Sequence, residues 1–546
     1  MVVFSAARAR AAALPLSWRR PAVHTTWVLL LSGWAVARIG RFGFHPTDQG
    51  FTLALSWRLL HGEVPHRDVV SARPLASALL HTLDFAVPGP LFLVSAMIAM
   101  VQLVVATIAL ATLVTGRAVL SWGPLGTGLV AAAALVNLHT FPLMAWHTID
   151  GIFLVACGWW ALRSGLRTGA ALPRYGGLFL VGMAAFTKQS FVFAAALTVT
   201  YLLARHSLSF LDIWWTGAFP LGYIGFVSLA GGFTPMVEQL SGATGAWPRR
   251  AFTVWESPEA MTTMLWLASA AVALILLRRK ETVTIPAVIA SAVALLVVLK
   301  GDMLRAGDWG MVLLWALLFV VVARWMIDVR APRGAVAVVA LAAMSSLSWG
   351  YDSPTLLGGT LALSVLWLLT PELPRCSPRP VGGVAVAAVV LLGTSKLLVD
   401  AHDASPYRDR PQHELTASLG LIAPALNGLR TTPEMYSYVA QIEECVREHP
   451  ARRVAVLPDN AFAYPALGLR NPFPLDWPLP LELVGDARER MLATVPKLNA
   501  DGDYLVLFQE VGHTDLEGRI SAGLTGRRIT CGQFTGVWAR QPLATQ

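Results

Sequence analysis

Charge is what this sequence has least of. Of its 546 residues, 14% are charged and 55% are hydrophobic, and the mean hydropathy is +0.57. A soluble globular chain carries roughly a quarter of its residues as charges, so that class is excluded. Cysteine is scarce too. Four in the whole chain make neither a disulfide framework nor the paired spacing of a zinc ribbon. There is no internal repeat, and few ionisable residues fall inside the apolar stretches. Both absences count against a transporter, whose substrate and ion sites sit at mid-membrane on broken helices of repeated halves. The net charge is +9, yet the arginines lie in short loops between apolar runs. That is the positive-inside pattern of a polytopic membrane protein, and not the basic face of a nucleic-acid binder.

What is present is a series of such runs. Arg8, Arg10, Arg19 and Arg20 precede the first, residues 26–40. Ala35-Val36-Ala37 resembles a cleavage site, but a retained signal-anchor helix is the expected reading. Further runs occupy residues 91–115, 125–141, 151–162, 176–204, 214–230, 261–277, 285–299, 309–323, 335–347, 356–369 and 381–399. A spanning helix needs about 20 residues, so the shorter runs borrow from their flanks. The run 176–204 is too long for one crossing and short for two. If it crossed once, Arg278-Arg279-Lys280 and Arg324, Arg330 and Arg333 would fall outside. Two crossings with Lys188 at the outer turn place them all inside. The expectation is an α-helical multi-pass protein of the cell membrane with about thirteen crossings. Its transmembrane domain covers residues 1–399, with a first outer loop at 41–90 and the N-terminus cytoplasmic.

After residue 399 the charge rises and long apolar runs stop, so residues 400–546 read as a small extracytoplasmic α/β domain. Residues 433–449 carry a helical pattern with proline in the first turn. Residues 453–457 and 504–508 read as buried strands, and 528–538 as an alternating one. Cys445 and Cys531 both belong to this domain. A bridge between them and two separate buried thiols are equally compatible with the sequence.

The outer loops hold the polar residues. Residues 45–74 pack acids, bases and aromatics into one stretch, with Asp48 just past the first apolar run. Residues 50–60 read as an amphipathic helix, with Phe51, Leu55, Leu59 and Trp57 on its apolar side, lying in the membrane interface. Asp48 is either the acid–base group of a site there or the cap of that helix. Asp68 is a second acid, or a partner of Arg67 or Arg73. Asp150, with His147 and His139 nearby, positions an acceptor or a metal, or caps the helix that follows; three or four ligands are needed for a metal. Lys188 lies in an otherwise apolar run, where a lysine is costly unless it snorkels or meets a lipid phosphate. Lys300, Arg249, Arg250 and Arg305 are further outer cations suited to phosphate, Arg305 being the one selected. Trp247 and Trp255 either stack on a sugar or belong to the aromatic belt, the latter being the expected reading.

The run from Asp48-Gln49-Gly50-Phe51 through Trp57-Arg58-Leu59-Leu60-His61-Gly62-Glu63-Val64-Pro65-His66-Arg67-Asp68 to Pro74 resembles the first outer loop of GT-C-class membrane glycosyltransferases. These include protein O-mannosyltransferases and bacterial aminoarabinose transferases. Thr148-Ile149-Asp150-Gly151, Ala185-Phe186-Thr187-Lys188-Gln189 and the tail segment Val456-Leu457-Pro458-Asp459 to Asn471-Pro472 are similar to further stretches of that family. Gln49 stands where the family often has a second acid, and His66 where tyrosine is usual. Whether a divalent metal takes part is left open by both departures. The resemblance implies transfer of a sugar from a polyprenyl phosphate to an envelope glycan, lipid or protein, with inversion. Asp48 would be the base, and Lys188 and Arg305 would hold the phosphate. A flippase of lipid-linked sugars and a non-catalytic assembly protein are the alternatives from other classes.

Overall fold

The computed structural model describes residues 16–138, 142–242, 252–256, 258, 261, 308–328, 332–347, 352–369, 380–404, 409–509 and 515–540. Helix dominates. Among the described residues, five helices are long and apolar enough to cross a bilayer: Pro21–Gly40, Leu91–Thr115, His147–Thr168, Trp309–Met326 and Gly382–Ala404. Pro124–Leu138, Gln189–Ala204, Arg333–Ser346 and Thr355–Leu369 are shorter apolar helices. The expected crossings at 261–277 and 285–299 lie outside the described residues.

The long run 176–204 is a helical hairpin. Ala171–Ala184 and Val192–Ala204 are joined by a turn that contains Lys188. Its first arm lies antiparallel to His147–Thr168. A Cβ added at Gly165 would meet Arg174 N at 2.5 Å, and one added at Gly158 would meet Gly177 O at 2.7 Å. Only bare backbone permits that approach, the small-residue contact typical of membrane helices. Gly151, one step further up, faces the Phe191 ring. This register brings the Lys188 turn to the level where His147–Thr168 begins. Elsewhere Asn137 fastens three helices together, donating to Thr107 Oγ1 at 2.8 Å and Thr360 Oγ1 at 2.9 Å and accepting from Thr360 N.

The C-terminal domain is the expected α/β unit. β1 (Ala417–Ser418) and β2 (Arg430–Thr431) pair as a short ribbon. β3 (Arg453–Leu457), β4 (Tyr504–Gln509), β5 (Arg527–Cys531) and β6 (Phe534–Ala539) form a sheet in the order β3-β4-β6-β5. β3 and β4 run parallel, and the other pairs antiparallel. Residues 528–538 are therefore a hairpin and not one strand. Gly532, at φ +58°, turns the chain back, a conformation glycine adopts without steric cost. The helix Pro433–Glu448 is capped by Thr432, whose hydroxyl accepts from Met435 N. Cys445 at its end is bonded to Cys531, which decides between the two readings of those thiols.

Candidate active site

The helix Asp48–Leu60 starts at Asp48 itself, with Thr47 in the cap position. Asp48 is therefore a first-turn carboxylate on the positive end of the helix dipole and not its cap. It is 3% exposed. Nor does this helix lie in the lipid interface. Phe51 and Leu55 pack with Tyr223, Val227 and Trp477, while Leu53 and Ala54 pack into the C-terminal domain beside Phe462. Its apolar residues meet protein on both sides, because the C-terminal domain closes over the loop. Leu60, Leu79, Leu83 and Val87 are the exposed apolar residues of this loop. The closure is tight at Gly50, where a Cβ would sit 2.1 Å from Phe462 N. Phe462 N donates to Pro46 O at 3.3 Å, and Thr47 Oγ1 to Asp459 O at 3.2 Å.

Phe51, one turn after Asp48 and on the same side of the helix, is the hub of the site. The Arg73 guanidinium stands 5.5 Å from its ring centroid. Trp477 is 5.0 Å from it and Trp146 6.2 Å. Trp146 in turn lies against the His147 ring at 4.6 Å. Arg73 donates to Glu482 at 2.7 Å, a carboxylate that is 1% exposed. Lys188 and Arg73 are both within electrostatic reach of His147.

Lys188 is 5% exposed. Its ammonium donates to Ser345 O at 3.3 Å, and among the described residues it has no carboxylate partner. Burial, with the Arg73 charge second, pushes it down to about 7. His147 Nδ1, Ser190 Oγ and Trp477 Nε1 are also buried with no hydrogen-bond partner among the described residues. Buried polar groups are nearly always satisfied. Ser190, two residues from Lys188, and His147 thus leave polar atoms free in the electrostatic field of two cations, a place suited to an anion, while the Trp477 indole N–H beside Phe51 is a separate donor suited to a neutral hydroxyl.

The remaining sequence candidates separate. Asp150 does not cap a helix beginning at 151, because that helix begins at His147. Asp150 is wholly buried, and it accepts from Ser77 Oγ, from Gln102 Nε2 at 2.8 Å and from His81 Nε2 at 3.1 Å. His81 Nδ1 reaches Asp84 at 2.8 Å. With a carboxylate on each nitrogen the ring is an imidazolium. Burial opposes that charge, but Asp150 and Asp84 outweigh it and hold the ring up at about 10. This buried chain ties the first outer loop to the helices Leu91–Thr115 and His147–Thr168. Asp68 pairs with its neighbour Arg67 at 2.7 Å, the ion-pair alternative. Asp68, Asp150 and His147 thus do not gather as a ligand set. The one three-residue grouping of metal-ligating type among the described residues is Cys445, His449 and Cys531, and its two cysteines are bonded to each other. Arg305, Lys300, Arg249, Arg250, His139, Trp247 and the Trp255 side chain lie outside the described residues.

Sequence reasoning missed three contributors: Arg73 as a site cation, and Trp477 and Glu482 of the C-terminal domain. Residues 471–484 are anchored to the loop by Arg58, which donates to Asp476 at 2.7 Å, to Glu63 at 2.6 Å and to the Phe473 carbonyl. Burial works against the guanidinium, and the two carboxylates outweigh it, raising its pKa. His66 makes a second anchor. Its Nδ1 donates to Gln239 Oε1 at 2.8 Å, leaving Nε2 to accept from the Tyr223 hydroxyl at 3.0 Å. Arg490 donates to the His66 and Arg67 carbonyls.

Fold and site together define a helical membrane protein with a buried cationic centre roofed by an α/β domain. The chain is similar to the crystal structure of ArnT from Cupriavidus metallidurans in the apo state, at 13% sequence identity and a TM-score of 0.46. The match covers 94% of this chain and 98% of that one. No family model and no curated protein matches the sequence.

Proposed function

We propose that this protein is a membrane glycosyltransferase that moves a sugar from a polyprenyl-phosphate donor to an envelope acceptor on the outer face. The observation that carries the reading is Lys188, a buried cation with no carboxylate partner among the described residues, within electrostatic reach of Arg73 and His147. A desolvated ammonium is costly without an anion, and the donor phosphodiester supplies one. The first-loop residues from Asp48 to Pro74 and their resemblance to GT-C enzymes support the same reading.

In this mechanism Asp48 takes the proton of the acceptor hydroxyl as its oxygen attacks the anomeric carbon from the face opposite the phosphate. The anomeric carbon–oxygen bond breaks, and its electron pair leaves with the polyprenyl phosphate. The anomeric centre inverts. Lys188 and Arg73, joined by Arg305, hold the leaving phosphate, in a dry site where such charges act strongly. The acceptor is an envelope glycan, lipid or protein. A positioned carboxylate base contributes about 10²- to 10⁴-fold.

The test is transfer from radiolabelled polyprenyl-phosphate sugars in membranes holding equal amounts of wild type, Asp48→Asn or Lys188→Ala. Label reaching an envelope product with wild type, and falling at least about 100-fold with Asp48→Asn, is the expected result. Equal transfer by Asp48→Asn removes the assigned base. Labelled donor that changes leaflet without transfer makes the protein a flippase.

A further inference from the structure

We propose that Trp477, supplied by the C-terminal domain, is the residue that recognises the donor sugar. The inference rests on the donor reading above and deepens it.

A sugar in transit must lie between the base and the cations that hold its phosphate. Phe51 marks that interval: it follows Asp48 by one helical turn, and Arg73 stands over its ring at 5.5 Å. Trp477 borders the same ring at 5.0 Å, inclined at 63°. Its indole N–H is buried and has no acceptor among the described residues. Tyrosine and tryptophan normally find a partner for their polar atom when buried, so this orphaned donor calls for one. A sugar offers both surfaces that an indole can use. Its C–H face packs on the ring, and a ring hydroxyl accepts from the N–H.

The position of Trp477 is fixed on each side. Before it, Asp476 takes hydrogen bonds from Arg58 at 2.7 Å and Asn471 at 2.8 Å. Beyond it, Glu482 holds Arg73 at 2.7 Å. A residue anchored so closely to a phosphate-binding arginine can discriminate, because its ring cannot retreat from a sugar of the wrong shape. Trp477 therefore acts in binding and specificity, while proton transfer and phosphate stabilisation stay with Asp48, Lys188 and Arg73.

The experiment measures binding of three lipids to the purified full chain in nanodiscs. They are undecaprenyl phosphate, undecaprenyl-phosphate mannose and undecaprenyl-phosphate arabinose. Wild type is expected to bind one glycosylated lipid about tenfold more tightly than the bare phosphate, the scale of one good buried hydrogen bond with its packing. Trp477→Phe, which keeps a ring and loses the N–H, abolishes that preference and leaves bare-lipid affinity within about twofold. Trp477→Tyr, which restores a donor, recovers part of it. Equal binding of all three lipids by wild type overturns the proposal. So does a loss of bare and glycosylated lipid alike in both variants, which makes Trp477 a packing residue. If wild type binds none of the three, the donor reading itself falls.

Discussion

Arg58 and Asp476 are 418 residues apart in the chain and meet at 2.7 Å, each almost fully buried, where the first outer loop touches the C-terminal domain. Removing Arg58 leaves the buried Asp476 carboxylate without its cation, and removing Asp476 leaves Arg58 with Glu63 as its one carboxylate among the described residues. Breaking a buried pair costs about 3–5 kcal/mol, with the smaller loss expected for Asp476→Asn. Asp476→Asn and Arg58→Met are each expected to lower the unfolding temperature of the detergent-solubilised protein. The pair Arg58→Met with Asp476→Leu recovers part of the loss, since no fully buried charge is left alone and Glu63, at 31% exposure, keeps contact with water. Thermal unfolding followed by tryptophan fluorescence reads both effects. If the double variant is as unstable as the sum of the singles, the two residues are not coupled.

Gly50 has a different kind of constraint. The Cβ of Gly50→Ala would sit 2.1 Å from the Phe462 backbone nitrogen, and backbone does not move aside as a flexible side chain does. Alanine is otherwise the better helix former, by about 1 kcal/mol. The clash outweighs that gain, with a net loss of about 1–3 kcal/mol. Because Asp48 lies two residues away, transfer should fall along with stability. A Gly50→Ala protein more stable than wild type would mean that the domain does not close on this helix.

Lys188 gives a pH signature. Buried beside Arg73, its ammonium holds its proton below about 7 and loses it above. A phosphodiester carries one charge throughout that range, so a change in its affinity reports on the lysine. Binding of undecaprenyl-phosphate mannose should be flat below pH 6. It should weaken by up to tenfold per unit as pH rises from about 7 to 9. Lys188→Arg stays charged and should abolish the slope. A wild-type profile that is flat to pH 9 would separate Lys188 from the phosphate.

His66 should shape stability and not binding. Burial lowers its pKa to about 4, against 6.5 in a free chain. Between those values the unfolded chain takes a proton that the native one refuses. Stability is therefore lost as pH falls from about 6.5 to about 4, and no further change comes from this group below that. The full effect is on the order of 3 kcal/mol. His66→Gln should flatten the acid limb of a stability–pH curve. An unchanged limb would place the proton sensitivity elsewhere.

Much of the frame was legible in the sequence, for reasons that differ by residue. The hairpin with Lys188 at its turn followed from arginine placement alone, because the charge rule acts on loops whatever the helices do. The strands at 453 and 504 followed from short apolar runs. The helix beginning at Asp48 reads from sequence as interfacial although protein covers it, because an apolar face looks the same to lipid and to protein. Asp150 was placed with His147 by spacing, yet it turned to Ser77, His81 and Gln102. Those partners lie 48 to 73 residues away, where no spacing rule reaches. Arg73 gave no signal beyond its charge, and Trp477 and Glu482 gave none at all. Their meaning comes from a contact between chain segments about four hundred residues apart.

That contact has a consequence for how the protein is made. Arg58, Arg73 and the Gly50 surface are translated hundreds of residues before Asp476, Glu482 and Phe462, so the early chain inserts its charges without their partners. The nascent first loop must stay hydrated or be held by other proteins until the last quarter of the chain folds over it. A half-made molecule has both arginines but neither the α/β roof nor Trp477. The buried cationic centre is therefore complete only when synthesis is nearly finished.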